Sequence, residues 1–350
     1  MPFELSASDS ACVELMKRRL GGFETEIGRL DGLSYTPRTA DEVIITTSPK
    51  AGTTWVQQIC HQLRSGPPSG DMSFNEISEV VPWLELAYDQ GQDLRAPQPF
   101  EAETGGMRVF KSHAWERHCP KGCKYIVVVR DPCDVALSFF NFFQGWFFEP
   151  GDLSVDAFVQ EVRNRSEASK PYYFLTLSLS RFAQFWLRRG VPDSKMQNAS
   201  FFHHLLSWYT KRNDNDTLFL FFEDLKDDLP SQVRRIAKFI SNDKWKCTDA
   251  AIDNAVRMSS FSFMREHSGH FNETLSKKAR NVACGLSPDA GMNVSKVRSG
   301  KTGAGMKILS EELRAQISEK WIEVVGRETR LNSYEDLRSH VKEEEEAATK

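Results

Sequence analysis

Apolar residues recur along this chain at two alternating periods. Residues 42–47 form a short run rich in β-branched side chains and predict a strand. After a Pro/Gly loop, Val56, Ile59, Cys60 and Leu63 follow at i, i+3, i+4, i+7, the spacing of one helix face. Residues 107–111 and Lys124–Val129 predict the next strands, the second continuous in apolar residues as a strand covered on both faces would be. Asp131 and Pro132 then stand as N-cap and first residue of a helix running through an aromatic stretch to about Phe148. A further strand is expected at 217–222. Val233, Ile236, Ala237 and Ile240 line the buried face of a helix at Leu229–Ile240, and a last helix is expected at 310–325. Strands separated by helices predict an α/β fold with a central parallel β-sheet flanked by helices. One domain is expected over residues 13–340, between a disordered start at 1–12 and a disordered acidic tail at 341–350 with four consecutive glutamates.

Composition narrows the function classes. The 350 residues are 40% hydrophobic and 27% charged, which excludes collagenous and disordered chains. A net charge of −3 gives no electrostatic reason to bind nucleic acid or an acidic membrane surface. The longest apolar runs, such as Ile126 to Val129, are far short of the ~20 residues that cross a bilayer. Residues 1–20 carry no apolar signal core, and the seven cysteines form no dense framework, so a cytoplasmic location is expected.

The most informative segment joins the first strand to the first helix: Ser48, Pro49, Lys50, Ala51, Gly52, Thr53, Thr54, Trp55. Such a turn aims unpaired backbone N–H groups and the positive end of a helix at an anion. Gly52 permits close backbone approach, Lys50 adds a mobile charge, and two hydroxyls add donors. The lysine precedes the glycine, so this is not the Walker pattern GxxxxGK[ST], which disfavours a nucleoside-triphosphate hydrolase. A second candidate anion contact is Arg130 at a strand's carboxyl end, with Ser138 two helical turns on, because a guanidinium presents two parallel donors to a phosphate. Lys111 and His113 stand two apart on an extended segment and therefore face one way, with histidine suited to proton removal near neutral pH. Adjacent histidines His203 and His204 diverge around a helix and have no suitably spaced third ligand, so no metal is expected.

These motifs resemble those of the cytosolic sulfotransferases, over residues 40–310. The family's strand–loop–helix fingerprint reads close to TYPKSGTTW, with Ser48 standing here for its tyrosine and Ala51 for its serine. The resemblance implies a P-loop-like fold whose loop, Lys50 to Trp55, holds the 5′-phosphosulfate of 3′-phosphoadenosine 5′-phosphosulfate (PAPS), with Trp55 stacked on adenine. It gives Arg130 and Ser138 to the 3′-phosphate, Ser259, Phe261 and Met264 to the adenine side, and Arg298, Ser299 and Gly300 to a closing RKGxxG loop in which Ser299 replaces a lysine. The family's tyrosine near the 3′-phosphate aligns with Phe202. Its KTH motif corresponds to Lys111, Ser112 and His113, implying His113 as general base and Lys50 and Lys111 as charge stabilisers of in-line transfer, with 3′-phosphoadenosine 5′-phosphate (PAP) as product.

The resemblance also implies Trp83 and Phe142 as walls of the acceptor pocket, and their aromatic character suits a small, partly apolar hydroxyl or amine compound. The family's dimer motif is not evident after Gly303, which tilts the expectation to a monomer. Residues 166–197 have no clear counterpart, and the aromatic helix expected at 172–189 is either a lid or added core. Ser299, Phe202 and the displaced Lys307 also leave open a nucleotide-binding relative without turnover, and the fold leaves open a small-molecule kinase using ATP.

Overall fold

The computed structural model describes residues 15, 18–66, 69–147, 190–292 and 294–349. The start at 1–12 and the segment 172–189 lie outside the described residues. Four strands, β1 (Val43–Thr47), β2 (Val109–Ser112), β3 (Lys124–Val129) and β4 (Thr217–Phe221), form one sheet in the order β2-β1-β3-β4, and every pair is parallel.

Each strand buries both faces, so alternate residues enter opposite cores. Ile44, Phe110, Val127, Val129, Phe219 and Phe221 pack with α3 (Pro132–Phe147) and α4 (Phe201–Tyr209). Val43, Ile45, Val109, Ile126, Val128 and Leu220 pack against α2 (Thr53–Ser65), α5 (Leu229–Ile240) and α6 (Asp249–Met258) on the other side. An α1 (Glu26–Leu33) precedes the sheet and is capped by Thr25. Ile126, fully buried in the interior strand β3, is a sensitive probe of this arrangement. Ile126→Ala is expected to cost about 2–5 kcal/mol in chemical denaturation, since a strand held between two helical layers cannot collapse into the cavity; a loss below about 1 kcal/mol would contradict two-sided packing.

The sequence-predicted elements fall close to the observed ones. Val56, Ile59, Cys60 and Leu63 are all fully buried on α2, and Asp131 caps α3 by accepting the Asp134 amide at 2.9 Å. Two differences are physical. Helix α2 is buried nearly all round, not along one stripe: His61 meets Asp71 at 2.8 Å, and Arg64 donates to Gln98 at 2.7 Å and to the Val80 carbonyl at 2.5 Å. The acidic tail expected to be disordered continues a helix, Tyr334–Thr349. Val341 on it is buried, while Glu344 and Glu345 pair with Arg212 and Arg235, which lessens the self-repulsion of the glutamate run. Among the described residues no helix is long and apolar enough to cross a membrane.

Candidate active site

The carboxyl ends of the parallel strands open into a cavity of about 550 Å³. Its first wall is the turn from β1 to α2. Lys50 (φ 73°) and Gly52 (φ 121°) both adopt left-handed backbone there, which tightens the loop. A Cβ on residue 52 would sit 3.0 Å from Phe222 Cδ2 and 3.4 Å from Val128 Cγ1, so both conformation and space call for glycine. The N-cap residue of α2 is Gly52, which has no side chain to bond the first amides, and this suits the positive helix end to an outside acceptor. Thr47 and Thr53 hydroxyls bind each other at 2.6 Å and fix the turn. Trp55 is held by its indole N–H donating to the Ser259 carbonyl at 2.8 Å and by edge contact with Phe222.

The second wall is the end of β2. Alternation sends Lys111 and His113 into the cavity and Ser112 away, where its hydroxyl donates to Glu85 at 3.1 Å. The same Glu85 oxygen accepts the His113 backbone N–H at 2.6 Å, and the His113 ring stands edge-on against Trp83 with centroids 5.0 Å apart. His113 Nδ1 lies 2.8 Å from the Thr47 carbonyl oxygen. A carbonyl only accepts, so Nδ1 carries the proton and donates, and Nε2 keeps a free lone pair. Burial, reinforced by the charge of Lys111, holds the imidazole well below its usual 6.5, so it stays neutral. Lys111 is 2% exposed, with its ammonium 3.6 Å from the Trp83 ring centroid. Burial lowers its pKa to about 8, against the opposing pull of Glu273.

Arg130 and Ser138 reach the same cavity from β3 and α3. The Arg130 guanidinium lies 4.1 Å from the Phe222 ring centroid and 3.5 Å from Asp134, which also accepts the Gly303 and Gly305 amides at 2.9 and 2.7 Å. Asp134 thereby ties the 298–305 loop to the first turn of α3. Arg298, Ser299 and Gly300 form the rim, and Phe261 and Met264 line the adjoining side. Gly300 lies so close to Phe261 that a Cβ would meet its ring at 2.6 Å. Trp83 and Phe142 form apolar wall, and the Lys50 ammonium sits 4.6 Å from the Phe142 ring centroid.

Three expected contacts are placed elsewhere. Phe202 is fully buried against Trp321 and does not line the cavity; its neighbours Ser200 and Phe201 do, because α4 turns the Phe202 ring into the sheet-side core. Ala51 is also fully buried, its amide closing the loop on the Ser48 carbonyl at 3.2 Å. Ser259 acts through its backbone on Trp55, its buried side chain lying outside the lining. Conversely, Glu273, Lys296, Phe222 and Lys226 line the cavity without having been singled out from sequence. Phe222 is the one with a local hint, since it directly follows the end of β4 as Arg130 follows that of β3.

Among the described lining residues, Arg29, Lys50, Lys111, Arg130, Lys226, Lys296, Arg298 and Lys301 face only Glu24, Asp134 and Glu273. This surplus of positive charge in a partly enclosed space suits a multiply charged anion. The aromatic stretch of α3 divides between two tasks. Phe140 and Trp146 enter the core, while Phe139 and Phe142 face the cavity.

Comparison with known proteins accords with this geometry. The chain is 27% identical over 233 residues to sulfotransferase 1B1 of Canis lupus familiaris, covering 65% of this chain and 67% of that protein. It is 28% identical over 230 residues to the amine sulfotransferase of Oryctolagus cuniculus, covering 64% and 63%. Among solved structures, mouse sulfotransferase SULT7A1 complexed with PAP shares the fold with a TM-score of 0.54 at 20% identity, covering 91% of this chain and 95% of that one. Retinol dehydratase in complex with androsterone and PAP does so with 0.56 at 20% identity, covering 92% and 96%. The sulfotransferase domain model matches residues 40–328, most of the chain, and on that extent the protein belongs to the sulfotransferase family.

Proposed function

We propose that this protein transfers a sulfuryl group from PAPS to a hydroxyl or amine of a small, largely apolar acceptor, with His113 as general base. The observation that carries the reading is the 2.8 Å contact of His113 Nδ1 with the Thr47 carbonyl: a carbonyl only accepts, so the basic Nε2 is the nitrogen left for the acceptor, in the cavity that Lys50 and Lys111 also line. The amide turn at 50–54 would receive the 5′-phosphosulfate, Trp55, Phe261 and Met264 the adenine, and Arg130, Ser138 and the 298–300 rim the 3′-phosphate. The charge surplus of the lining fits a donor carrying both a phosphosulfate and a phosphate, and that donor's product PAP occupies the solved relatives.

In the transfer, Nε2 takes the acceptor's proton as its oxygen or nitrogen bonds to sulfur. The bond from sulfur to the bridging phosphate oxygen breaks, and its electron pair stays on that oxygen. Lys50 and Lys111 stabilise the charge growing there and on the sulfonate oxygens. Trp83, Phe139 and Phe142 favour an apolar acceptor body.

Incubation with radiolabelled PAPS and a panel of phenols, alcohols and amines is expected to give labelled product for apolar acceptors and little for sugars. Tight PAP binding without any label transfer would instead mark a nucleotide-binding protein, and stabilisation by ATP and magnesium but not by PAP would mark a kinase.

A further inference from the structure

Next to His113, the cavity floor contains a charged unit that the transfer scheme leaves unexplained. Glu273 is 2% exposed, and its Oε1 lies 3.4 Å from Lys111 Nζ and also pairs with Lys296 Nζ. Its Oε2 accepts the Ser276 hydroxyl at 2.9 Å. The three charged side chains all line the cavity, and the Lys111 ammonium is held between the carboxylate and the Trp83 face. A fixed Glu273–Lys111 pair would cancel the positive charge that sulfuryl transfer asks of Lys111. Stranding a buried carboxylate is costly, however, so Lys111 can leave Glu273 only if another cation stays behind. Lys296 is that cation.

We propose that Glu273 and Lys296 are positioning residues that dock Lys111 on Trp83 until an anion enters, whereupon Lys296 alone balances Glu273 and Lys111 turns to the donor's sulfonate. This rests on the sulfuryl-transfer reading above. The other charged and titratable groups acting around Lys111 are Lys50, His113, Glu76 and Glu85. Glu85 is bound by Ser112 and the His113 amide, and Glu76 accepts the Leu275 amide at 3.0 Å, so neither replaces Glu273 as the direct partner.

The test is site-specific: competitive acetylation of the free protein across a pH series, with the Lys111 peptide quantified by mass spectrometry. The wild-type midpoint is expected at about 8. Glu273→Gln leaves Lys111 facing Lys50 and Lys296 without its counter-ion and should lower that midpoint. Lys296→Met removes a repelling charge, leaves Glu273 to Lys111 alone and should raise it, while Lys296→Arg keeps the wild-type value. In steady-state assays Lys296→Met should also lower kcat by about tenfold or more with little change in the KM for PAPS, because Lys111 stays docked. Opposite midpoint shifts support the docking. Shifts in one direction, or none, overturn it, and so does a Lys296→Met enzyme with wild-type kcat. The acetylation result is read without donor and is therefore separate from whether PAPS is the substrate.

Discussion

His113→Ala is expected to lower turnover by about 10²–10⁴-fold while leaving PAP binding nearly intact. The ring's Nδ1–H is engaged by the Thr47 carbonyl and its position is fixed by Glu85 through the backbone and by Trp83 through edge contact. What alanine removes is therefore a preoriented basic nitrogen and little of the anion cradle. A variant retaining more than about a tenth of wild-type rate contradicts the role of base. The pH profile of kcat/KM carries the same assignment. His113 acts when neutral, and burial with the nearby Lys111 charge keeps its pKa well below 6.5, so the acid limb should lie below pH 6.5. Lys111 acts when protonated, so activity should fall as pH rises through about 8. An acid limb at or above 6.5 would show that the titrating base is not this buried imidazole.

Lys50→Met should reduce kcat/KM by about 10²–10³-fold, the range found when one preorganised donor to a developing negative charge is removed. Burial first, and then the charges of Lys296, Lys111 and Arg130, hold the Lys50 pKa well below 10.5 in the free protein. An arriving phosphosulfate stabilises the ammonium, so its pKa rises on binding and a proton is taken up. By linkage, affinity for PAPS or PAP weakens as pH rises through the free-state value. Calorimetry of PAP binding in buffers of different ionisation enthalpy should show proton uptake for the wild type and clearly less for Lys50→Met. Equal uptake in the two proteins would place the titrating group elsewhere.

The elements of the fold were legible because each one is a local consequence of side-chain period. The helix Leu229–Ile240 and the strand Lys124–Val129 have the bounds that their apolar spacing predicts. The loop chemistry was legible for a related reason: Lys50, Gly52, Thr53 and Thr54 are neighbours in the chain, and a turn between a buried strand and a helix can present its amides in few ways. His113 and Lys111 were readable as a same-side pair because a strand has a period of two.

What lay beyond the sequence is everything set by contact between distant segments. Phe202 and Phe201 are adjacent, chemically identical and both buried, and only the rotation of their helix decides that Phe201 also reaches the cavity while Phe202 packs on Trp321. Residues 341–350 read as a disordered acidic tail until Arg212 and Arg235, more than a hundred positions away, are placed opposite Glu344 and Glu345. Glu273 and Lys296 show no motif, yet Glu273 pairs with Lys111, 162 positions earlier in the chain, and with Lys296. A lone charge in a sequence reads as solvated surface. Whether it is buried, and which partner then sets its ionisation, depends on the summed packing of both helical layers, which no local pattern encodes.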